Sequence, residues 1–230
     1  MHDAGPTFIN EYFHAARVSP SQMDELLAAA WRHFGTYFFR YSIGIHGFDI
    51  RRVIPLRIRL ADRTFTKSQR RALRRNADLD VRISPLNITP QAEQLFHKHK
   101  QRFKTGVPDS IYEFVSGTLE ESPSETMQLS VFDRDRLLAE SYFDVGESTV
   151  SGIYGMFDPD ESARGLGVFT LLKEIEFAAD SGKEFYYLGY SYEGESFYDY
   201  KKRFRATESF DWLGNWEPFE PEADEAPGVL

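Results

Sequence analysis

Five cationic side chains lie at helical spacing in one short stretch of the chain. Thr66 followed three residues later by Gln69 is a capping-box pattern, which predicts that a helix begins here. The cations share one face of that helix and are Lys67, Arg70, Arg71, Arg74 and Arg75. Like charges at this spacing repel and reduce helix stability, which suggests an anionic partner such as the phosphates of a nucleic acid. The alternative is a solvated helix face without a partner.

The charge of the chain is distributed unevenly. Its 230 residues carry a formal net charge of −9. Residues 51–104, however, contain 15 Lys and Arg against four acids, so this segment is +11 and the remainder is −20. We therefore expect one face to attract a polyanion although the total charge is negative.

Composition excludes several kinds of chemistry. Cysteine is absent, which excludes disulfides, thiolate metal sites and a Cys nucleophile. His97 and His99 are two residues apart on a predicted helix and point about 200° from each other, so no shared metal site is expected. No apolar run approaches the roughly 20 residues of a membrane span, and the N-terminus lacks a signal sequence. We expect a cytoplasmic protein with neither a membrane nor a metal partner.

A second stretch suited to chemistry is the turn with Arg164, Gly165 and Gly167. A three-strand antiparallel meander is predicted before it, over residues 127–132, 137–145 and 149–157, and a helix followed by a strand is predicted after it. This order resembles the core of GNAT acyltransferases, in which such a turn and the helix N-terminus hold a phosphate-bearing acyl donor. Phe169 stands where that pattern has a small residue, which disfavours a coenzyme A pyrophosphate and favours another acyl carrier. An ordinary strand-to-helix turn is the alternative.

These elements predict an α+β protein with a GNAT-like acyltransferase fold, in which helices flank a central, mostly antiparallel sheet. Residues 1–85 are expected to form an N-terminal α/β extension with the basic helix, 86–216 the transferase domain and 217–230 an acidic disordered tail. The other predicted helices run from Ser19 through Phe34, where Gly35 stops the helix, from Pro90, and over the short segments 110–117 and 196–204. Strands are predicted at Tyr37–Tyr41 and Phe185–Tyr192. A further strand is expected to bury Leu56, Ile58 and Leu60 and to expose Arg57 and Arg59.

Four motifs in this chain resemble those of the aminoacyl-tRNA–protein transferase family, the arginyltransferases and bacterial aspartate/glutamate leucyltransferases of the N-degron pathway. They are residues 68–79 with the basic stripe, Phe157-Asp158-Pro159-Asp160 with residues 164–169, Tyr187-Leu188-Gly189-Tyr190, and Tyr200-Lys201-x-Arg203-Phe204. The likeness extends from about residue 23 to residue 216. It implies that an amino acid moves from the 3′ end of a charged tRNA to the α-amine of an acceptor with an acidic N-terminal residue.

In that reaction the basic stripe would contact tRNA phosphates, and aminoacyl-tRNA would be a co-substrate with no further cofactor. The acyl ester is already activated, so catalysis needs positioning, oxyanion stabilisation and removal of a proton from the attacking ammonium. Asp144 and Asp158 end adjacent predicted strands beside the glycine turn, so either is a candidate base or a residue that orients the amine. Both could equally be turn residues. Tyr154 is the third catalytic candidate.

The predicted cleft for the aminoacyl-adenosine end consists of Arg164, Gly165, Gly167, Tyr187, Tyr190, Tyr200, Lys201 and Arg203. Tyr154, Tyr187 and Tyr190 would line this cleft and stack on the terminal adenine, with a packed aromatic sheet face as the alternative. Lys201 and Arg203 would meet either a tRNA phosphate or an acceptor carboxylate.

The chain departs from the family at its cysteines. One cysteine cluster of the family has no counterpart here, and the positions of the second are filled by Gly47, Ile50 and Val53. The identity of the acceptor is therefore left open. Two other hypotheses therefore stand beside aminoacyl transfer. One is a coenzyme A-dependent GNAT N-acetyltransferase, and the other is a tRNA-binding relative that has lost its chemistry.

Overall fold

The computed structural model describes residues 8–46 and 49–219. Two antiparallel-rich sheets and a few helices make up this part of the chain. The strands are β1 Asn10–His14, β2 Arg32–Phe34, β3 Tyr37–Tyr41, β4 Ile43–His46, β5 Asp49–Arg59, β6 Asp80–Pro85, β7 Thr126–Asp133, β8 Arg136–Val145, β9 Thr149–Phe157, β10 Phe185–Tyr192, β11 Thr207–Phe210 and β12 Trp216–Pro218. The α-helices are α1 Pro20–Ala28, α2 Lys67–Arg75, α3 Pro90–His99 and α4 Leu166–Asp180.

The large sheet has the strand order β12-β11-β5-β10-β9-β8-β7-β6, and β4 pairs with β5 beside this path. Strands β9 and β10 pair in parallel, whereas the other neighbours in this sheet pair antiparallel. The small sheet has the order β1-β3-β2. The predicted α+β class and the mostly antiparallel sheet are therefore confirmed. The large sheet takes strands from both sides of residue 86.

Helices cover both faces of the large sheet. On one face, α4 packs with Leu172 and Ile175 on Phe143 and Tyr186, and the apolar side of α2 packs beside it. On the other face, α3 packs with Phe96 on Tyr142 and its neighbours, and α1 and the small sheet pack nearby. Because successive strand residues point to opposite faces, each helix layer has its own apolar core.

Local capping signals in the sequence correctly predict where three helices begin. The Ser19 and Thr66 side chains each accept from the backbone N–H of the third helical residue. The side-chain oxygens of Gln22 and Gln69 accept in turn from the backbone N–H of Ser19 and Thr66, so both capping boxes are complete. Thr89 caps α3 by accepting from Ala92 N. These side chains satisfy backbone N–H groups that a helix leaves without partners in its first turn.

The first helix is shorter than predicted. It ends at Ala28, Ala30 adopts a left-handed conformation with φ 63°, and β2 replaces the expected last turn. The apolar residues continue at helical spacing through Phe34, but β2 gains strand pairing with β3 and brings buried polar contacts from its first two residues. Tertiary contacts therefore override the local pattern.

The prediction for Arg57 was also wrong, because its side chain is only 12% exposed. Its guanidinium lies 3.8 Å from the ring centroid of Phe185 and 4.4 Å from that of Trp216, and it pairs with Glu208 at 2.7 Å. Arg59 is exposed as expected, although it also pairs with Glu208. These two arginines help to hold β5, β10 and β11 together.

Three further predictions concern short or terminal segments. The short helices expected at 110–117 and 196–204 are single 3-10 segments, Ile111–Glu113 and Asp199–Arg203. The expected tail begins inside β12, and residues 220–230 lie outside the described residues.

Candidate active site

The parallel strands β9 and β10 diverge after a short stretch of pairing. They are paired only where Phe185–Tyr187 meets Thr149–Ser151. Each strand also has a register shift close to this point. The pairing of β9 with β8 shifts between Gly152 and Tyr154, and the pairing of β10 with β5 shifts between Tyr187 and Gly189. A β-bulge bends a strand and leaves an extra residue unpaired. We call the region beyond this pairing, toward the C-terminal ends of both strands and the start of α4, the cleft; its narrow end lies beside the paired residues and its wide end at the strand ends.

A buried carboxyl group lies beneath this cleft. Glu174 projects from α4, is 3% exposed and accepts a hydrogen bond from the Tyr186 hydroxyl at 2.5 Å. Burial raises the pKa of Glu174 to about 7, although Ser141 and Tyr186 act in the opposite direction. The Ser141 hydroxyl influences this pKa without meeting the geometry of a hydrogen bond. A carboxyl group with this pKa can exchange a proton near neutral pH.

Gly152 makes room for this carboxyl–hydroxyl pair. A Cβ at Gly152 would lie 2.6 Å from the Tyr186 hydroxyl oxygen and 3.3 Å from Glu174 Oε2. Both distances are too short for ordinary packing, so any side chain here would displace the Tyr186 hydroxyl. The absence of a Cβ is therefore a requirement of the site.

Two cations lie at the narrow end of the cleft. Arg32 donates to the Ser151 hydroxyl and the Gly152 carbonyl of β9. Lys201 Nζ donates to the Tyr190 carbonyl of β10 at 3.0 Å. Burial lowers the pKa of Arg32, and it lowers that of Lys201 to about 7 with a further contribution from the Arg32 charge.

Three buried hydroxyl oxygens on the strands of the cleft have no hydrogen-bond partner within the described residues. They belong to Ser141 on β8, Tyr154 on β9 and Ser191 on β10. The Tyr154 ring stacks on Phe114 at 4.2 Å, and burial raises the pKa of its hydroxyl. Buried polar groups are usually paired, so each of these hydroxyls is a candidate for contact with a ligand atom.

Asp144 is enclosed by hydrogen bonds on the opposite side of the sheet from Glu174. Its oxygens accept from His33 Nε2 at 2.6 Å, Ser124 Oγ at 2.7 Å and Thr126 Oγ1 at 2.8 Å. Burial acts to raise the pKa of Asp144, but His33 and the hydroxyls outweigh it and the pKa is lowered. These surroundings favour a structural role over that of a base.

Asp158 also has a charged partner. Both of its oxygens lie 2.9 Å from Lys98 Nζ, and it caps the 3-10 segment Pro159–Arg164 by accepting from Asp160 N. Burial acts to raise the pKa of Asp158, but Lys98 and the backbone hydrogen bond from Asp160 outweigh it, so the pKa is lowered. Asp158 therefore shapes the turn before α4.

The other predicted cleft residues divide between the cleft and the sheet faces. Tyr187 accepts from Arg57 at 3.2 Å, and Tyr190 donates to the Ala30 carbonyl at 2.7 Å, so both hydroxyls already have partners. Burial raises the pKa of Tyr200 to about 12, while Arg203 is exposed. Of the predicted tyrosines, Tyr154 is the one whose hydroxyl is buried without a hydrogen-bond partner in the described part of the chain.

The glycine turn has the conformation that its residues require. Gly165 has φ 68°, and a Cβ at Gly167 would lie 3.3 Å from the Phe157 ring. No side chain caps the N-terminus of α4, so its first backbone N–H groups remain available to an anion. Arg164 pairs with Asp78 at 3.1 Å.

The basic helix α2 contacts this turn directly. Arg75 donates to the Ala163 carbonyl at 2.5 Å, and Asn76 donates to the Arg164 carbonyl at 3.0 Å. All five cations of α2 are exposed. The cationic stripe and the open N-terminus of α4 therefore lie side by side at the wide end of the cleft.

Sequence reasoning missed Glu174, Tyr186, Ser141, Ser191 and Arg32 as site residues. Glu174 did leave a signal, because it lies four residues from Thr170 and from Ala178 on the buried stripe of α4. An acid on such a stripe needs a partner or a raised pKa.

Comparison with known proteins agrees with the motifs. Residues 91–211 match the family model described as arginine-tRNA-protein transferase, C terminus. An aspartate/glutamate leucyltransferase of Stenotrophomonas maltophilia (strain R551-3) is 35% identical over 179 residues, covering 74% of this chain and 71% of the relative. A protein of the same name from Acinetobacter baumannii (strain AYE) is 28% identical over 199 residues, covering 84% and 70%.

The chain therefore belongs to the arginine-tRNA-protein transferase family, as the four motifs predicted. It is an aminoacyltransferase. Among solved structures, L-PGS from Bacillus licheniformis is similar with a TM-score of 0.47 and 11% identity, covering 81% of this chain and 55% of that one.

Two structural features bear on partners other than an acyl donor. Across residues 8–46 and 49–219, no helix combines the length and the apolar character needed to cross a bilayer. In the same ranges no set of three or more His, Cys, Asp or Glu side chains is arranged to hold a metal ion.

Proposed function

We propose that this enzyme transfers an amino acid, leucine by analogy with the names of its relatives, from aminoacyl-tRNA to the α-amine of an acceptor with an acidic N-terminal residue. The observation that carries the proposal is the contact of α2 with the turn that begins α4. This contact sets an exposed cationic surface beside the mouth of a cleft that contains a proton acceptor. We further propose that the divergence of β9 and β10 corresponds to the acyl-donor cleft of GNAT proteins, and that the enzyme acts in the cytoplasm in an N-degron pathway.

The phosphates of the tRNA acceptor end would lie along α2 and at the N-terminus of α4. Lys67, Arg71 and Arg74 are spaced by four and three residues, are exposed, and make no side-chain hydrogen bond or ion pair with the described residues. Their charges are therefore available to phosphates, and contacts of this kind recognise the backbone rather than the base sequence.

The aminoacyl ester would enter the cleft with its carbonyl near the bulge of β9. Unpaired backbone N–H groups there could stabilise the oxyanion that forms when the amine attacks. The new C–N bond forms as the ester C–O bond breaks. Glu174 accepts the proton that the ammonium loses, and the leaving ribose oxygen takes up a proton. Tyr186 holds the Glu174 carboxyl group in place.

Binding and transfer can be tested with the same preparation. Changing Lys67, Arg71 and Arg74 together to Ala should weaken binding of leucyl-tRNA and reduce the slope of log affinity against log salt by roughly 2 to 3, because each phosphate contact contributes about 0.7 to 0.9. The matched control exchanges each of the three for the other basic residue, Lys for Arg or Arg for Lys, and should retain the slope. An unchanged slope in the Ala variant would contradict the role of α2.

Transfer is then measured with separately charged radioactive aminoacyl-tRNAs and peptides that begin with Asp, Glu or a neutral residue. Incorporation of leucine into the acidic peptides is the expected result. Binding of tRNA without consumption of any aminoacyl ester would instead support a relative without this activity. Thermal stabilisation by acetyl-coenzyme A would support the N-acetyltransferase alternative, against which the buried Phe169 at the start of α4 argues.

A further inference from the structure

The cations at the narrow end of the cleft have no acidic partner among the described residues. Neither Arg32 nor Lys201 makes an ion pair there, whereas the similarly enclosed Arg57 pairs with Glu208. Asp144 is the acid whose charge reaches Arg32, but its oxygens already accept from His33, Ser124 and Thr126. Both side chains are partly buried, and two partly buried positive charges without a counterion are unfavourable, so an anionic ligand would be bound favourably.

Both cations contact neighbouring residues of β10, Gly189 and Tyr190. Gly189 leaves space for the guanidinium of Arg32, whose atoms lie 3.3 Å from the position of a Cβ there. Lys201 donates to the carbonyl of the next residue, Tyr190. A guanidinium has five N–H donors and an ammonium has three. Arg32 uses two in the two hydrogen bonds to β9, and Lys201 uses one, so most of their donors remain for a ligand.

The position of the pair favours a side-chain carboxylate over a nucleic-acid phosphate. Arg32 bonds to Ser151 and Gly152, where β9 and β10 have only begun to diverge, whereas α2 and the N-terminus of α4 lie at the wide end. A polynucleotide backbone can follow the exposed stripe, whereas the partly exposed Arg32 and Lys201 are better suited to a single small anionic group. An apolar aminoacyl side chain would leave both charges without a partner.

We propose that Arg32 and Lys201 form the subsite that binds the side-chain carboxylate of the acceptor's N-terminal residue. This inference rests on the proposed function and assigns its acceptor specificity to named residues. The Tyr186 hydroxyl donates to Glu174 and lies within electrostatic range of Arg32, which places the proton acceptor near this subsite. An acidic residue bound with its carboxylate at the cations would direct its α-amine toward Glu174.

The test measures binding separately from transfer. Binding of the dipeptides Asp-Ala and Asn-Ala is measured by titration calorimetry at pH 6, where Lys201 with its pKa of about 7 is protonated. These ligands differ in charge but hardly in shape. We expect the wild type to prefer Asp-Ala by roughly 10- to 100-fold, the range expected for hydrogen bonds between charged groups. Lys201→Gln should reduce this preference by roughly tenfold, and Lys201→Arg should retain most of it.

Lys183→Gln is the matched control. Lys183 also donates to backbone carbonyls, those of Gly146 and Glu147, but at the other end of β10. The Lys183→Gln variant should leave the preference for Asp-Ala over Asn-Ala unchanged. Equal binding of both dipeptides by the wild type, no binding of either, or an unchanged preference in Lys201→Gln would overturn the subsite. A preference that Lys201→Gln removes, combined with no leucine transfer to an Asp peptide, would support the subsite and contradict the proposed function.

Discussion

Replacing Glu174 with Gln should make the protein more stable at alkaline pH while removing most of its activity. Gln has nearly the same shape and can still accept from the Tyr186 hydroxyl. It has no charge to bury. The wild-type carboxyl group, with a pKa raised by burial from 4.5 to about 7, must ionise inside the protein as the pH rises.

The magnitude follows from the linkage between proton binding and folding. Between pH 4.5 and about 7 the folded state keeps the Glu174 proton while the unfolded state loses it. The stability that this group contributes is therefore fully present below pH 4.5 and is lost as the pH rises to about 7. At about 1.4 kcal/mol per pH unit, the loss is about 3 kcal/mol. Glu174→Gln avoids this loss, which corresponds to about 6–12 °C in Tm for a chain of this length.

Urea unfolding at pH 5 and pH 8, followed by the fluorescence of the three Trp residues, measures this difference. The variant and the wild type should differ by less than about 1 kcal/mol at pH 5 and by about 3 kcal/mol at pH 8. His33 and the other titrating groups are common to both proteins and cancel. Transfer should fall by roughly 10²- to 10⁴-fold, as for loss of a general base. A difference that is the same at both pH values would refute the raised pKa, and full activity would refute the role as base.

Two further substitutions test the surroundings of Glu174 and of Asp144. Gly152→Ala should cost about 1–3 kcal/mol and reduce transfer, because its Cβ would displace the Tyr186 hydroxyl. Gly155→Ala is its control in the same strand, since that Cβ would meet Ser141 at an ordinary 3.6 Å, and equal losses in the two would contradict this explanation. Asp144→Asn should lower the free energy of unfolding by roughly 3–5 kcal/mol, because it leaves the buried His33 charge without its partner. A folded, fully stable variant that had lost only transfer would restore Asp144 as a candidate base.

Local sequence patterns predicted the framework because they act over a few residues. The capping box at Thr66 fixed the start of α2, and the exposure of its five cations follows from their spacing. The meander of β7, β8 and β9 was predicted from alternation and turn residues, and its bounds agree within one residue. The family was predicted from motif order, which does not require a correct assignment of every element.

The chemistry of the cleft could not be predicted in this way, because it depends on contacts between distant segments. Arg32 lies in a stretch with helical spacing, and only the pairing of β2 with β3 directs its side chain to β9, more than a hundred residues away. Asp144 and Asp158 were correctly placed at strand ends, but the sequence did not reveal that His33 and Lys98 neutralise them. Whether an acid is a free base or one member of an ion pair is decided by its partners, not by its position in a strand.

Under the proposed acceptor subsite, the N-terminal segment would affect specificity through two consecutive residues of β2. Arg32 and His33 point to opposite sides of the strand, as alternation in a strand requires. Both His33 ring nitrogens face acceptors, the Gly35 carbonyl and Asp144, so the ring is held in its charged form, and Asp144 raises its pKa against the effect of burial. This buried ion pair fixes β2 to β8 and thereby sets the position of the Arg32 guanidinium at the narrow end of the cleft. Although Asp144 is enclosed away from Glu174, we therefore expect it to influence acceptor binding through Arg32, which explains how a segment without cysteines could contribute to the choice of acceptor.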